Sequence, residues 1–217
     1  KDLLVLVLIP GLAAVLPWPL CFRVFRSIAG RWRWLYRDDC ESALRQAHAR
    51  GIVPDDQQGL WLARRRLTTL IDHADLYLAA TRSNAWLRKH VRVSGNWPAV
   101  SQAGVLCTFH WGAGMWALRH THANGMRAHA LVAPVNKAHY PGRPVAYWYA
   151  RARTGMVAKV LGRPTLDVSA TLRPALRTLM QNGQVFAAID VPSDQVAASV
   201  PLKIAGMNAL VPRALLR

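Results

Sequence analysis

Three short apolar runs, residues 105–109, 128–132 and 185–189, constrain this chain most. Each lacks the 3.6-residue period of a helix, is shorter than an ordinary helix and stops against turn-forming or titratable residues, so each reads as a buried strand. The stretches 115–123, 145–152 and 169–180 carry helical spacing instead, the last with Ser169 or Thr171 near its start and Gly183 beyond its end. Residues 157–161 read as one more short strand. Strands separated by helices of this length require crossover connections, which are right-handed. The expected fold class is therefore α/β, with a largely parallel central sheet flanked by helices.

Two of these runs end in titratable residues, His110 and Asp190. Parallel strands present their carboxyl ends on one edge, where open α/β sheets bind ligands, so the two side chains are candidates for one cleft. His110 is followed by Gly112, Ala113 and Gly114, small residues that let a ligand approach the backbone. Taken singly, a histidine can cap a strand, and Asp190 ahead of Pro192 suits a turn. Other chemistries lack their patterns. His120 and His122 diverge on a helix, and His129 and His139 complete no metal motif; no GxSxG elbow, P-loop or GxGxxG occurs.

The N-terminus adds a second constraint. Residues 3–16 are almost wholly apolar, and that character continues with interruptions to Phe22 despite Pro10, Pro17 and Pro19. Arg23, Arg26, Arg31, Arg33 and Arg37 follow, interleaved with Trp32, Trp34 and Tyr36. Apolar stretch, interfacial aromatics and arginines together predict a membrane anchor over residues 1–37, with a buried core helix as the other reading. A signal peptide would carry its positive charges before the apolar run, and here they come after it. If those charges mark the inner side, residues 38–217, the α/β domain, face the cytoplasm. Within it, 39–48 reads as a helix and 57–92 as one or two amphipathic helices, with Arg64, Arg65 and Arg66 on a solvated face. The chain holds 28 Lys and Arg against 11 Asp and Glu, a formal charge of +17, which calls for anionic partners. Nucleic acid is a poor fit, since no binding signature accompanies the charge. Three cysteines without CxxC spacing make no disulfide framework and suit a reducing compartment.

These residues together resemble the bacterial lipid A late acyltransferases (lauroyl/myristoyl acyltransferases), relatives of the glycerolipid acyltransferases. The likeness covers nearly the whole chain: the apolar start with "LPWPLCFRVFRSIAGR", then "GVLCTFHWGAGMW", "ARARTG" at 150–155, "LMQNGQVFAAIDVPSD" at 179–194 and "VPLKIAGMNALVPRALLR". Family members usually continue further, so a C-terminally trimmed chain is expected. The resemblance implies a His-x4-Asp/Glu motif in which the histidine is the general base that activates an acceptor hydroxyl for attack on an acyl thioester. His110, Trp111 and Gly112 match it, but Met115 stands at the acidic position. Asp190 is then the expected substitute and Asp194 the second choice. Trp111, Gly112 and Gly114 are expected to contact substrate, amides around Gly112–Gly114 to stabilise the oxyanion, Trp111 and Trp116 to line an acyl groove or the core, and Arg153 to hold an anionic group.

With no metal pattern in the residues, no metal is expected, and the resemblance adds no resident cofactor. Acyl carrier protein or coenzyme A would bring the thioester as co-substrate, anionic membrane lipids would be partners, and the location would be the cytoplasmic face of a bacterial inner membrane. The acceptor stays open among a lipid A precursor, a glycolipid, an ornithine lipid and a polyene pigment intermediate. Met115 also supports a rival expectation: a non-catalytic acyl- or carrier-binding protein that lost its chemistry with the acid.

Overall fold

The strands β1 (Gly104–Thr108), β2 (Ala128–Val132), β3 (Leu166–Asp167) and β4 (Gln184–Ala188) lie parallel in the order β1-β4-β2-β3. The structure is a computed structural model and describes residues 1–110, 112–169, 171–190, 198–204 and 206–212. Parallel strands need crossovers, and α6 (Gly114–Ala123), α7 (Pro144–Leu161) and α8 (Arg173–Met180) supply them. β4, second in the sheet, has Gln184, Val185, Phe186 and Ala187 all buried, the continuous burial expected of a covered parallel strand. A separate antiparallel pair, β5 (Ser199–Ile204) and β6 (Met207–Pro212), follows it and was not foreseen from the sequence.

The stretch 157–161 is the C-terminal part of α7 rather than a strand. A short apolar run looks the same in either state, and Gly155, which could have marked a break before it, is carried inside the helix. α7 ends at Gly162, whose φ of 63° is the left-handed conformation glycine reaches without a Cβ penalty. The third strand comes after Pro164 instead. α8 starts later than expected because Asp167 accepts hydrogen bonds from the amide and hydroxyl of Ser169, which holds that segment in a turn.

The N-terminal half is helical: α1 (Ile9–Val15) after a π-helical stretch Leu3–Leu8, then α2 (Trp18–Arg31), α3 (Arg37–Ala49), α4 (Gln58–Thr81) and α5 (Asn84–His90). The break between α4 and α5 is set by Ser83, whose hydroxyl accepts from the Trp86 amide as an N-cap. The structure does not support the expected anchoring helix. Among the described residues, no helix is long and apolar enough to cross a membrane. The apolar start bends at Leu16–Pro17, where the backbone is extended, and packs its pieces on α4. Val5, Leu6, Ile9, Ala13, Cys21 and Phe25 share one buried cluster with Leu70, Ala74 and Leu78 of α4 and Ala146 of α7. Proline explains the bend, and burial against α4 explains the apolarity of the inward side, while Leu3, Leu8, Val15 and Leu20 stay exposed.

One of the three adjacent arginines also departs from its expected place. Arg66 is only 6% exposed, and its Nε donates to the Ala29 carbonyl near the end of α2 at 2.7 Å. Its solvated face is thus interrupted by a helix-terminus contact.

Candidate active site at the carboxyl edge of the sheet

β1 and β4 pair in parallel from Gly104↔Gln184 to Thr108↔Ala188, and the Ile189 amide continues the ladder to the Thr108 carbonyl at 2.9 Å. Two residues past the last pair, that register sets His110 opposite Asp190. The side chains meet there: His110 Nδ1 lies 2.9 Å from Asp190 Oδ1, and the His110 amide donates to Asp190 Oδ2 at 2.7 Å. A carboxylate only accepts, so Nδ1 carries the ring proton and Nε2, on the far side of the ring, keeps its lone pair. The imidazole is 66% exposed and the carboxylate 30% exposed. The base nitrogen therefore belongs to an open edge, while its partner is gripped at both oxygens.

The loop after His110 narrows the choice of oxyanion donors. Gly112 has φ of 62°, and the Gly114 amide donates back to the Gly112 carbonyl at 2.8 Å, which removes Gly114 from the set of free donors. The amides of Gly112 and Ala113 have no acceptor among the described residues. Thr68 of α4 lies 3.9 Å from where a Cβ at position 112 would stand, so α4 backs the loop closely. Trp111 and Asp194 lie outside the described residues. Trp116 packs at 6.0 Å from Trp18 and 5.3 Å from Trp86, in the apolar cluster of the helical half.

Met115 is buried, 3% exposed. Its amide donates to Oδ2 of Asp75 at 2.6 Å, and Asp75 Oδ1 is buried without a hydrogen-bond partner. Burial pushes the Asp75 carboxyl up to about 7, against the pull of that amide and of Arg153. This carboxylate closes the N-terminus of α6, where exposed amide protons favour negative charge. Sequence reasoning missed it. The available signal was an acid at an apolar position of an amphipathic helix, four residues after Ile71 and three before Leu78.

Arg153 has a different partner from the expected anion. Its two terminal nitrogens donate to the two oxygens of Asp72 on α4, at 2.7 and 2.5 Å. A guanidinium packed between α4 and α7 needs such a counter-charge, and the bidentate pair supplies it. Beside it, His73 Nδ1 donates to the Tyr36 hydroxyl at 2.9 Å, Tyr36 donates onward to the Val5 carbonyl at 2.8 Å, and Tyr149 donates to the His73 carbonyl at 3.0 Å. Burial pushes the His73 imidazole down to about 4. This polar layer ties α3, α4, α7 and the N-terminus together.

Among the described residues no three His, Cys, Asp or Glu side chains come together as a metal site. The arrangement at the sheet edge can abstract a proton at Nε2 and hold the resulting imidazolium against Asp190. No protein-family model matches this chain, and neither the curated proteins nor the solved structures contain a significant match to it.

Proposed function

We propose that the chain is an O-acyltransferase that moves an acyl group from a thioester, on acyl carrier protein or coenzyme A, to a hydroxyl of a lipid-like acceptor. The observation that carries this reading is the His110–Asp190 pair at the carboxyl edge. His110 Nε2 takes the proton of the acceptor hydroxyl, and the alkoxide oxygen attacks the thioester carbonyl. The Gly112 and Ala113 amides are the nearest candidates to stabilise the tetrahedral oxyanion. Collapse breaks the C–S bond, and the Nε2 proton passes to the departing thiolate, leaving an ester, a thiol and neutral His110. Asp190 fixes the tautomer and stabilises the imidazolium, the part Met115 cannot play.

A position against anionic lipid is part of the same proposal, now as a peripheral contact. Leu3, Leu8, Val15 and Leu20 are exposed on the N-terminal helices, Trp32 and Trp34 stack at 5.6 Å on the surface, and Arg23, Arg26, Arg31 and Arg33 accompany them. The test is acyl transfer in liposomes with labelled acyl carrier protein and coenzyme A thioesters and a bacterial lipid extract as acceptor. A labelled lipid product that drops roughly 10²–10⁴-fold in His110→Ala supports the role of base. Undiminished turnover in that variant contradicts it.

A further inference from the structure

The far end of α6 from His110, some nine residues or about 13 Å along the helix axis, borders a cavity that the acyl-transfer reading does not use. It has a volume of about 470 Å³ and lies between α5, the segment after it and the C-terminal half of α6. That size is in the range of small-molecule sites. Its lining is apolar at Leu87, Val91 and Val93 and basic at Arg88 of α5 and at Arg119 and His120 of α6. None of its described lining residues is acidic, and residues 76–166 of the chain contain no Asp or Glu at all.

The two α6 donors, Arg119 and His120, are held by contacts that leave part of each unused. Arg119 Nε donates to Asn84 Oδ1 at 2.6 Å, and its Nη1 donates to the Arg82 and Ala79 carbonyls at the end of α4. The guanidinium plane is thereby clamped, and its Nη2 has no acceptor among the described residues. Trp97 Nε1, which can only donate, gives its proton to His120 Nδ1 at 2.8 Å, so the imidazole proton sits on Nε2. Asn124 Nδ2 stands 3.3 Å from that Nε2 but is itself a donor, engaged with the His120 carbonyl at 2.8 Å. Arg88 has no carboxylate partner among the described residues and is exposed. Two guanidinium groups and an imidazole N–H, with no acid to neutralise them, suit an anion offering three acceptor oxygens.

We propose that this cavity binds a phosphate-bearing amphiphile, its phosphate on Arg88, Arg119 and His120 and its apolar chain along Leu87, Val91 and Val93. The site is independent of the chemistry at His110, and neither assignment falls with the other. The test is calorimetric titration of the full chain with dodecyl phosphate below its micelle concentration, beside inorganic phosphate and dodecyl maltoside. Dodecyl phosphate is expected to bind, inorganic phosphate to bind at least tenfold more weakly, and the maltoside not to compete. Arg88→Ala should weaken dodecyl phosphate about tenfold, Ala123→Trp should fill the cavity and abolish binding, and Arg45→Ala, a charge removed from α3, should change nothing. Should the tryptophan variant melt early, Arg88→Ala against Arg45→Ala decides alone, since both side chains are exposed. No binding of dodecyl phosphate, or equal losses in the Arg88 and Arg45 variants, overturns the proposal.

Discussion

Two carboxylates grip opposite ends of the same loop, and their surroundings give them different work. Asp190, from the end of β4, accepts the His110 amide and pairs with the ring on a face open to solvent. Asp75, from α4, accepts the Met115 amide five residues later in a fully buried place. The first orients a group that stays accessible; the second closes a helix end that nothing outside can reach. A charge that is both partnered and exposed can serve chemistry at little cost to folding, whereas a buried one with an orphan oxygen is a term in stability.

Substitutions at the two ends should therefore separate activity from stability. The largest effect is expected for Asp190→Asn, which lowers acyl transfer roughly 10²–10⁴-fold and leaves the melting temperature within a few degrees, measured by calorimetry on the same preparation. Met115→Glu, the substitution that would restore the family motif, should do the reverse. It buries a second carboxyl beside Asp75 and costs about 3 kcal/mol or more in denaturant unfolding, without raising activity. A stable and more active Met115→Glu protein would erase the distinction drawn here.

Asp75→Asn sharpens it through pH. The folded chain holds the Asp75 proton up to about 7 while the unfolded chain releases it near 3.8. Between those values the folded state binds more protons, so this group's contribution to stability falls as pH rises. The asparagine variant should match the wild type near pH 4 and exceed it by about 4 kcal/mol at pH 8. His73 runs the other way: neutral in the fold down to about 4 but protonated near 6.5 when unfolded, it removes stability as pH falls through that window. His73→Asn should flatten that acid limb in urea titrations across pH. The smallest effect is expected at Arg66→Met, about 1–2 kcal/mol for the lost bond to the Ala29 carbonyl.

The legible part of this molecule was the part written in local pattern. The runs at 105–109, 128–132 and 185–189 mark three of the four sheet strands, because buried parallel strands are short and apolar between helices. The juxtaposition of His110 and Asp190 followed from topology, since strands of one direction end on one edge. What escaped depended on partners distant in sequence. An apolar N-terminus reads alike whether it faces lipid or α4, and only packing decides. Arg153 looks like a free cation until Asp72, 81 residues earlier, is seen beside it. Asp75 needed the knowledge that α6 begins beneath it.

The central claim is that Asp190, and not residue 115, sets the state of His110. Nitrogen NMR of the chain labelled in its histidines, assigned through His110→Gln, tests it without a substrate. The account predicts the Nδ1–H tautomer for His110 in the wild type, a shift toward Nε2–H in Asp190→Ala, and no change in Met115→Leu. A wild-type ring protonated at Nε2, or one indifferent to loss of Asp190, would contradict it.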